Sequence, residues 1–374
     1  MNIKKVHNGI DRTDTLPLLK EGRLGLITNH SGVTREMKPS YELLCEKYRL
    51  TALFSPEHGI YGAAQAGAKV DEVEYESVTG TPVYSLYGGK TAPDMQMLEN
   101  VDVLCFDIQD VGARFYTYLY TMTRSMKAAK AKGIPFVVFD RINPVGLESV
   151  QGEILDEANA SFVGEYSVPH RYGLTIGEFA RYINSEKNIN AELYVIPCRG
   201  LDRSTYFRDT DLCFVAPSPN MPSPETALVY TGTCIFEAVK NVSEGRGTTQ
   251  PFELIGAPYI DERELCDYMN AYGLPGAVAR KVRFVPTFSK FQGELCRGIQ
   301  IHVTDREAFS PFEYGYILIS HLRELYDIQL TEAGSKRIFG TSRLYEKTPP
   351  DILFPDCSRK CEEFRKSTEK YKLY

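Results

Sequence analysis

The 374-residue chain has no tryptophan and only 6 histidines. It contains no HExxH, so the commonest zinc-hydrolase pattern is missing. It also lacks GxxxxGK[ST] and GxGxxG, the glycine spacings that cradle phosphates, which argues against a nucleotide cofactor. No lysine or arginine run is long enough to track a phosphate backbone, and the net charge is −6, so nucleic acid is not an expected partner. No apolar stretch approaches the length of a membrane span. The N-terminal MNIKKVHNGIDR has no apolar h-region; as it stands the chain reads as cytoplasmic, or as secreted if a leader was removed. The 9 cysteines show no paired spacing, and most sit among apolar neighbours. That fits thiols in a reducing compartment better than a disulfide framework. Cys357 and Cys361, at i,i+4, are too few for a zinc site.

What is present is an ordinary globular composition, 43% hydrophobic and 25% charged, in a chain long enough for two domains. Aromatic faces come from 24 Tyr and 19 Phe. Tyrosine offers a flat apolar face and a hydroxyl, which suits a sugar and equally suits a core. Short apolar runs alternate with helical patterns through the first two-thirds of the chain, the mark of an α/β domain with a mostly parallel sheet. Strands are expected at 24–28, 51–54, 83–86, 103–108, 136–139 and 193–196. Apolar residues Phe115, Leu119, Met122, Met126 and Ala129 draw one helical stripe over 115–132, with Gly133 after its end. Thr175 and Glu178 form a capping box for a second helix. Ser223 and Pro224 start a third, expected to reach about Lys240. From about residue 251 the rhythm changes to a smaller α+β domain, so the expected division is 1–250 and 251–374.

Each of four expected strands is followed by a polar cluster. These are Asn29-His30, Ser55-Pro56-Glu57-His58, Asp107-Ile108-Gln109-Asp110, and Asp140-Arg141-Ile142-Asn143-Pro144. Parallel strands would put all four on one edge of the sheet, where open α/β sheets bind ligands. Glu57 lies on a stiff loop: Pro56 keeps Ser55 out of helical geometry, and Gly59 and Gly62 permit turns a side chain would block. It is the first choice for chemistry, against the plainer alternative of a Glu-His pair capping a helix. Glu244, in Glu244-Gly245-Arg246-Gly247, is a second carboxylate across the expected domain boundary. Two such groups suit glycoside hydrolysis, one protonating the leaving oxygen and the other acting as base or nucleophile. Gly245 and Gly247 would let the backbone approach a ligand while Arg246 meets a carboxylate; alternatively the loop is a structural turn and Arg246 pairs with a surface acid. Asp107, Gln109 and Arg114 could bond hydroxyls or an anion, with Tyr116 as a stacking face. Asp110 could instead cap the helix. Glu57, His58, Asp107, Asp110 and Asp140 would serve a hard metal ion only if their loops converged.

The runs SPEHGIYG (55–62), PVYSLYG (82–88), DIQDVGARFYTY (107–118), DRINP (140–144), SPNMPSPE (218–225) and NVSEGRGTTQPFE (241–253) together resemble the NamZ-type exo-β-N-acetylmuramidases, along nearly the whole chain and in order. The resemblance implies a Rossmann-like domain, a smaller C-terminal domain and an active site between them. It implies hydrolytic release of N-acetylmuramic acid from the non-reducing end of peptidoglycan fragments, with no cofactor. Glu57 would be the catalytic residue. His58, Asp107, Gln109, Arg114, Tyr116, Asp140, Asn143, Asn220, Arg246 and Gln250 are the candidate substrate-binding residues. The family's motif usually reads DRPNP, and position 142 here is Ile. The lactyl carboxylate of muramic acid calls for an arginine, Arg114 or Arg246. Two other readings stand beside this one: a non-catalytic wall-sugar binding protein, and a metal-dependent hydrolase.

Overall fold

The computed structural model describes residues 3–62 and 74–374. Its main sheet has seven strands: β1 (Arg23–Thr28), β2 (Arg49–Ser55), β3 (Glu74–Tyr75), β4 (Pro82–Ser85), β5 (Val103–Asp107), β6 (Phe136–Phe139) and β7 (Leu193–Ile196). The spatial order is β3-β4-β2-β1-β5-β6-β7, and every adjacent pair is parallel except β3 with β4. Parallel strands need crossovers, and the crossovers supply helices α1 (Ser40–Lys47), α2 (Tyr118–Lys132) and α3 (Ile176–Glu186). Side chains alternate across the sheet. Leu104 and Phe106 of β5 join the core containing Met122 of α2 and Phe179 of α3; Val103 and Cys105 join a separate core containing Leu44 of α1.

The expected strands of this sheet are all present. The long helix starts at Tyr118 rather than at 115, because the preceding residues are tied elsewhere. Arg114 donates its backbone N–H to His170 at 2.9 Å, and Ala113 bridges Arg171. Gly133 closes α2 with φ 76°, and the Thr175–Glu178 capping box forms at the start of α3.

Ser223 caps α4 (Pro224–Thr233) through the Thr226 N–H. A 3-10 turn, Cys234–Ala238, then ends the helical stretch short of Lys240. Val239 is drawn into a bridge with Leu330, and the Lys240 N–H bonds Gln329 at 3.1 Å. A smaller antiparallel sheet follows, built from β8 (Leu254–Ala257), β9 (Ala277–Phe284) and β10 (Cys296–Val303) in the order β8-β10-β9. It is packed by α5 (Glu262–Tyr272) and α6 (Pro311–Leu325). The helices α4 and α6 cross backbone against backbone: a Cβ added at Gly232 would lie 1.8 Å from the Pro311 carbonyl oxygen.

The chain then makes a single turn, α7 (Glu332–Gly334), a π-helical turn (Ser335–Phe339), and a long helix, α8 (Pro350–Thr368). The buried face of α8 is Leu353, Cys357, Cys361, Phe364 and Thr368. It lies on the first lobe, where Phe364 meets Tyr182 at 5.4 Å between ring centres. The last residues continue there. Arg181 bonds the Tyr371 carbonyl at 2.8 Å, and the Tyr374 hydroxyl bonds Asp140 at 2.6 Å. No described helix is long and apolar enough to cross a membrane.

Candidate active site

The strand order changes direction between β1 and β5, the place where open α/β sheets accept ligands. Here that place is covered by the proline-rich loop at 216–224. His30 Nε2 lies 2.6 Å from the Ala216 carbonyl, and the Tyr118 hydroxyl donates to the Pro217 carbonyl at 2.8 Å. Asn29 Nδ2 donates to that same hydroxyl at 3.0 Å. The open part of the edge is therefore displaced toward β2, where Glu57 stands.

The Glu57 loop is shaped as its glycines suggest. Gly59 has φ 77°. At Gly62, with φ 68°, an added Cβ would lie 2.0 Å from the His30 ring. His58 also has a positive φ, 75°, a costly conformation for a residue with a side chain. The result turns the Glu57 carboxylate toward the start of α2. There the Thr117 hydroxyl donates to Oε2 at 2.9 Å, which fixes the carboxylate's direction.

Glu57 and His58 border a cavity of about 140 Å³. One wall is a run of edge-to-face rings. Centroid separations are 4.9 Å for Tyr118–Tyr116, 6.4 Å for Tyr116–Tyr230 and 4.6 Å for Tyr230–Phe252. The Arg246 guanidinium carbon lies 5.1 Å from the Phe252 ring centre and ends that run. The Tyr116 hydroxyl is buried, finds no well-formed hydrogen bond among the described residues, and lies beside Ser218. Asn220 and Met221 of the proline-rich loop close another side. Phe252, like His58, has a positive φ, 66°, so two cavity residues carry backbone strain.

Arg246 pairs with Glu237, which also borders the cavity, and its Nε lies 3.4 Å from Glu244. Burial lowers the Arg246 pKa, but Glu237 and Glu244 more than offset it, and the net shift is upward. Glu244 itself does not border the cavity. It is 3% exposed and paired with Lys290 at 2.7 Å. The flanking glycines serve the chain's own backbone: a Cβ at Gly245 would meet the Gln250 carbonyl at 2.9 Å, and one at Gly247 the Phe288 carbonyl at 2.6 Å. Gln250 stands outside the cavity wall, and its carbonyl accepts from the Leu254 N–H at 3.3 Å.

Of the sequence candidates, then, Glu57, His58, Tyr116, Asn220 and Arg246 come together. The others are engaged inside the fold. Asp107 is fully buried against Arg141, with Nε–Oδ1 at 2.6 Å and Nη2–Oδ2 at 2.7 Å. Gln109 donates to the carbonyls of Asp110 and Ile142, both at 2.8 Å. Arg114 donates to the carbonyls of Ile338 and Phe339 at 2.8 and 2.9 Å, which ties the first lobe to the π turn; burial lowers its pKa to about 10. Asp140 accepts from Thr175, Gly177 and Tyr374 at 2.8, 2.7 and 2.6 Å, and burial, opposed by these donors, raises its pKa to about 7. Asn143 donates to the Leu174 carbonyl at 2.9 Å. Asp110, raised by burial to about 6, accepts from the Gly112 N–H at 2.7 Å and from the Tyr172 hydroxyl. The metal reading needed these acids to converge; among the described residues no group of three or more His, Cys, Asp or Glu is placed to hold a metal ion.

The residue the sequence reading missed is Glu237. It lies in Cys234-Ile235-Phe236-Glu237-Ala238-Val239, an otherwise apolar run. A lone carboxylate in such a run was the available signal.

The exo-β-N-acetylmuramidase NamZ N-terminal family profile matches residues 24–225, and the corresponding C-terminal profile matches residues 228–374. The chain is 46% identical to the peptidoglycan β-N-acetylmuramidase NamZ of Bacillus subtilis (strain 168), across 99% of this chain and 92% of that protein. Crystal structures of two DUF1343 family proteins from Bacteroides fragilis NCTC 9343 share the fold. One has a TM-score of 0.90 at 31% identity and the other 0.81 at 28%, each over 99% of both chains. The chain belongs to the NamZ exo-β-N-acetylmuramidase family.

Proposed function

We propose that this protein is an exo-β-N-acetylmuramidase, a glycoside hydrolase that releases N-acetylmuramic acid from the non-reducing end of peptidoglycan fragments. The observation that carries the reading is the Glu57 carboxylate, held by Thr117 at 2.9 Å on the rim of a cavity with an aromatic wall and an arginine at the wall's far end. Glu57 acts as general acid and base. It gives its proton to the glycosidic oxygen as the bond to the anomeric carbon breaks, and it recovers a proton from the water that completes hydrolysis. Arg246 receives the lactyl carboxylate, a group that a plain N-acetylglucosaminide lacks. Glu237 holds Arg246 at the cavity wall and is the second carboxylate available to the reaction. The tyrosine wall accepts the apolar face of the sugar.

All nine cysteines are free and seven are buried, which supports action in a reducing compartment on recycled wall fragments. The test of the activity is release of a chromophore from a β-N-acetylmuramide. Glu57→Gln should lower kcat by about 10²–10⁴-fold. A folded variant that keeps more than about a tenth of the wild-type rate overturns Glu57 as the acid.

A further inference from the structure

An exo-acting muramidase must bind two things: the terminal muramic acid, and the sugar that leaves. The cavity between Glu57 and Arg246 takes the first. Nothing described so far takes the second. The register of the sheet shows where to look. Ser55 at the end of β2 is paired with Ser85 at the end of β4, and the Leu86 N–H continues the ladder by donating to the Ser55 carbonyl at 2.8 Å. Glu57 and Tyr87 each lie two residues beyond that paired level, so the loops that carry them leave neighbouring strand ends.

A second element reaches the same place. Residues Ser161 to Gly164 form a tight turn closed at both ends, Ser161 N–H to the Gly164 carbonyl at 2.7 Å and the reverse bond at 3.1 Å. Its two tip residues divide their work. Val163 borders the cavity, and Phe162 packs against Tyr87 with ring centroids 5.8 Å apart. Arg124 of α2, itself paired with Glu165, lies 5.4 Å from the Phe162 ring centre and fixes that ring from the helix side. Both rings are partly exposed. An aromatic pair thus adjoins, through Val163, the cavity that Glu57 borders, apart from the tyrosine wall that leads to Arg246.

We propose that Tyr87 and Phe162 form the platform for the leaving sugar, and that they set the enzyme's preference for a glycosylated over a small leaving group. The inference rests on the muramidase reading above. A pyranose presents a face of C–H groups, and an aromatic ring is the side chain that covers such a face while leaving the hydroxyls wet. The placement also suits the chemistry. The oxygen that takes the Glu57 proton belongs to the departing sugar, so that sugar must lie against the residues beside Glu57.

The test compares two substrates, a muramic acid–N-acetylglucosamine disaccharide and methyl β-N-acetylmuramide, whose leaving group is methanol. Tyr87→Ala and Phe162→Ala should each lower kcat/KM on the disaccharide roughly tenfold, the factor set by about 1.4 kcal/mol, and leave the methyl glycoside unchanged. Tyr87→Phe, which keeps the ring, should behave as wild type on both. N-acetylglucosamine should inhibit the wild type and lose that inhibition in the alanine variants. Equal losses on both substrates would mean that the rings only support Glu57, and would overturn the platform. So would full disaccharide activity in both variants. A wild-type enzyme that cleaves neither substrate overturns the muramidase reading itself, and the platform with it.

Discussion

Glu57 and Asp140 occupy similar positions, each just beyond the carboxyl end of a parallel strand on the same sheet edge. One borders a cavity and is held by the Thr117 hydroxyl; the other is sealed and accepts from Thr175, Gly177 and Tyr374. Asp107, between them, is neutralised by Arg141. The difference lies in what covers each part of the edge. Over β6 the start of α3 and the chain's last residues fill the space. Over β2 the cover is a strained glycine loop and the aromatic wall, and room is left. A strand-end acid becomes a candidate for catalysis only where the covering layer leaves it reachable.

The sharpest way to break this contrast is to neutralise each acid in turn. Glu57→Gln should cost the two to four orders of magnitude in kcat given above and leave the denaturant midpoint unchanged. Asp107→Asn should do the reverse. It leaves the Arg141 charge buried without its partner, and urea unfolding should show a loss of about 3–5 kcal/mol while the folded fraction keeps its kcat. If the Asp107 variant loses kcat and not stability, the division of the edge is wrong.

Arg246→Ala should raise KM for the muramide roughly 10–100-fold, the range expected for a charge-assisted contact, and leave hydrolysis of an N-acetylglucosaminide at its wild-type level. Tyr374→Phe removes a donor to the buried Asp140, and calorimetry should show a loss of about 1.5–3 kcal/mol without effect on kcat. The last effect is in pH. Asp140 is raised in the folded state to about 7 from its ordinary value of 3.8, so between those values the folded chain holds a proton the unfolded chain has lost. Stability should therefore fall in the wild type, relative to Asp140→Asn, as pH rises through that window, and the gap should level off above it.

Much of the first lobe was legible because short apolar runs, capping boxes and the proline after Ser223 are local signals. The second lobe's strands were legible only in outline; the alternation of β9 is masked by Lys and Arg on its exposed face. The helix α8 went unrecognised although Cys357 and Cys361 mark its buried stripe. The site was harder. Asp140-Arg141 looks in sequence like a ligand-binding pair, and only the tertiary structure shows that Arg141 turns back to Asp107 and that residue 374 meets residue 140. Glu237 was missed for the converse reason. A charge among apolar neighbours signals a special environment, but its partner Arg246 becomes apparent only when the chain folds back.

The contact between Gly232 and Pro311 has a mechanical consequence. The helix α4 continues directly from the proline-rich loop that carries Asn220, and it is bolted to α6 with no side chain between the two backbones. The roof of the cavity is thus joined to the second lobe by a direct backbone contact. A methyl group at position 232 would act as a wedge, prying the roof from its mount and widening the cleft while leaving every catalytic side chain chemically intact.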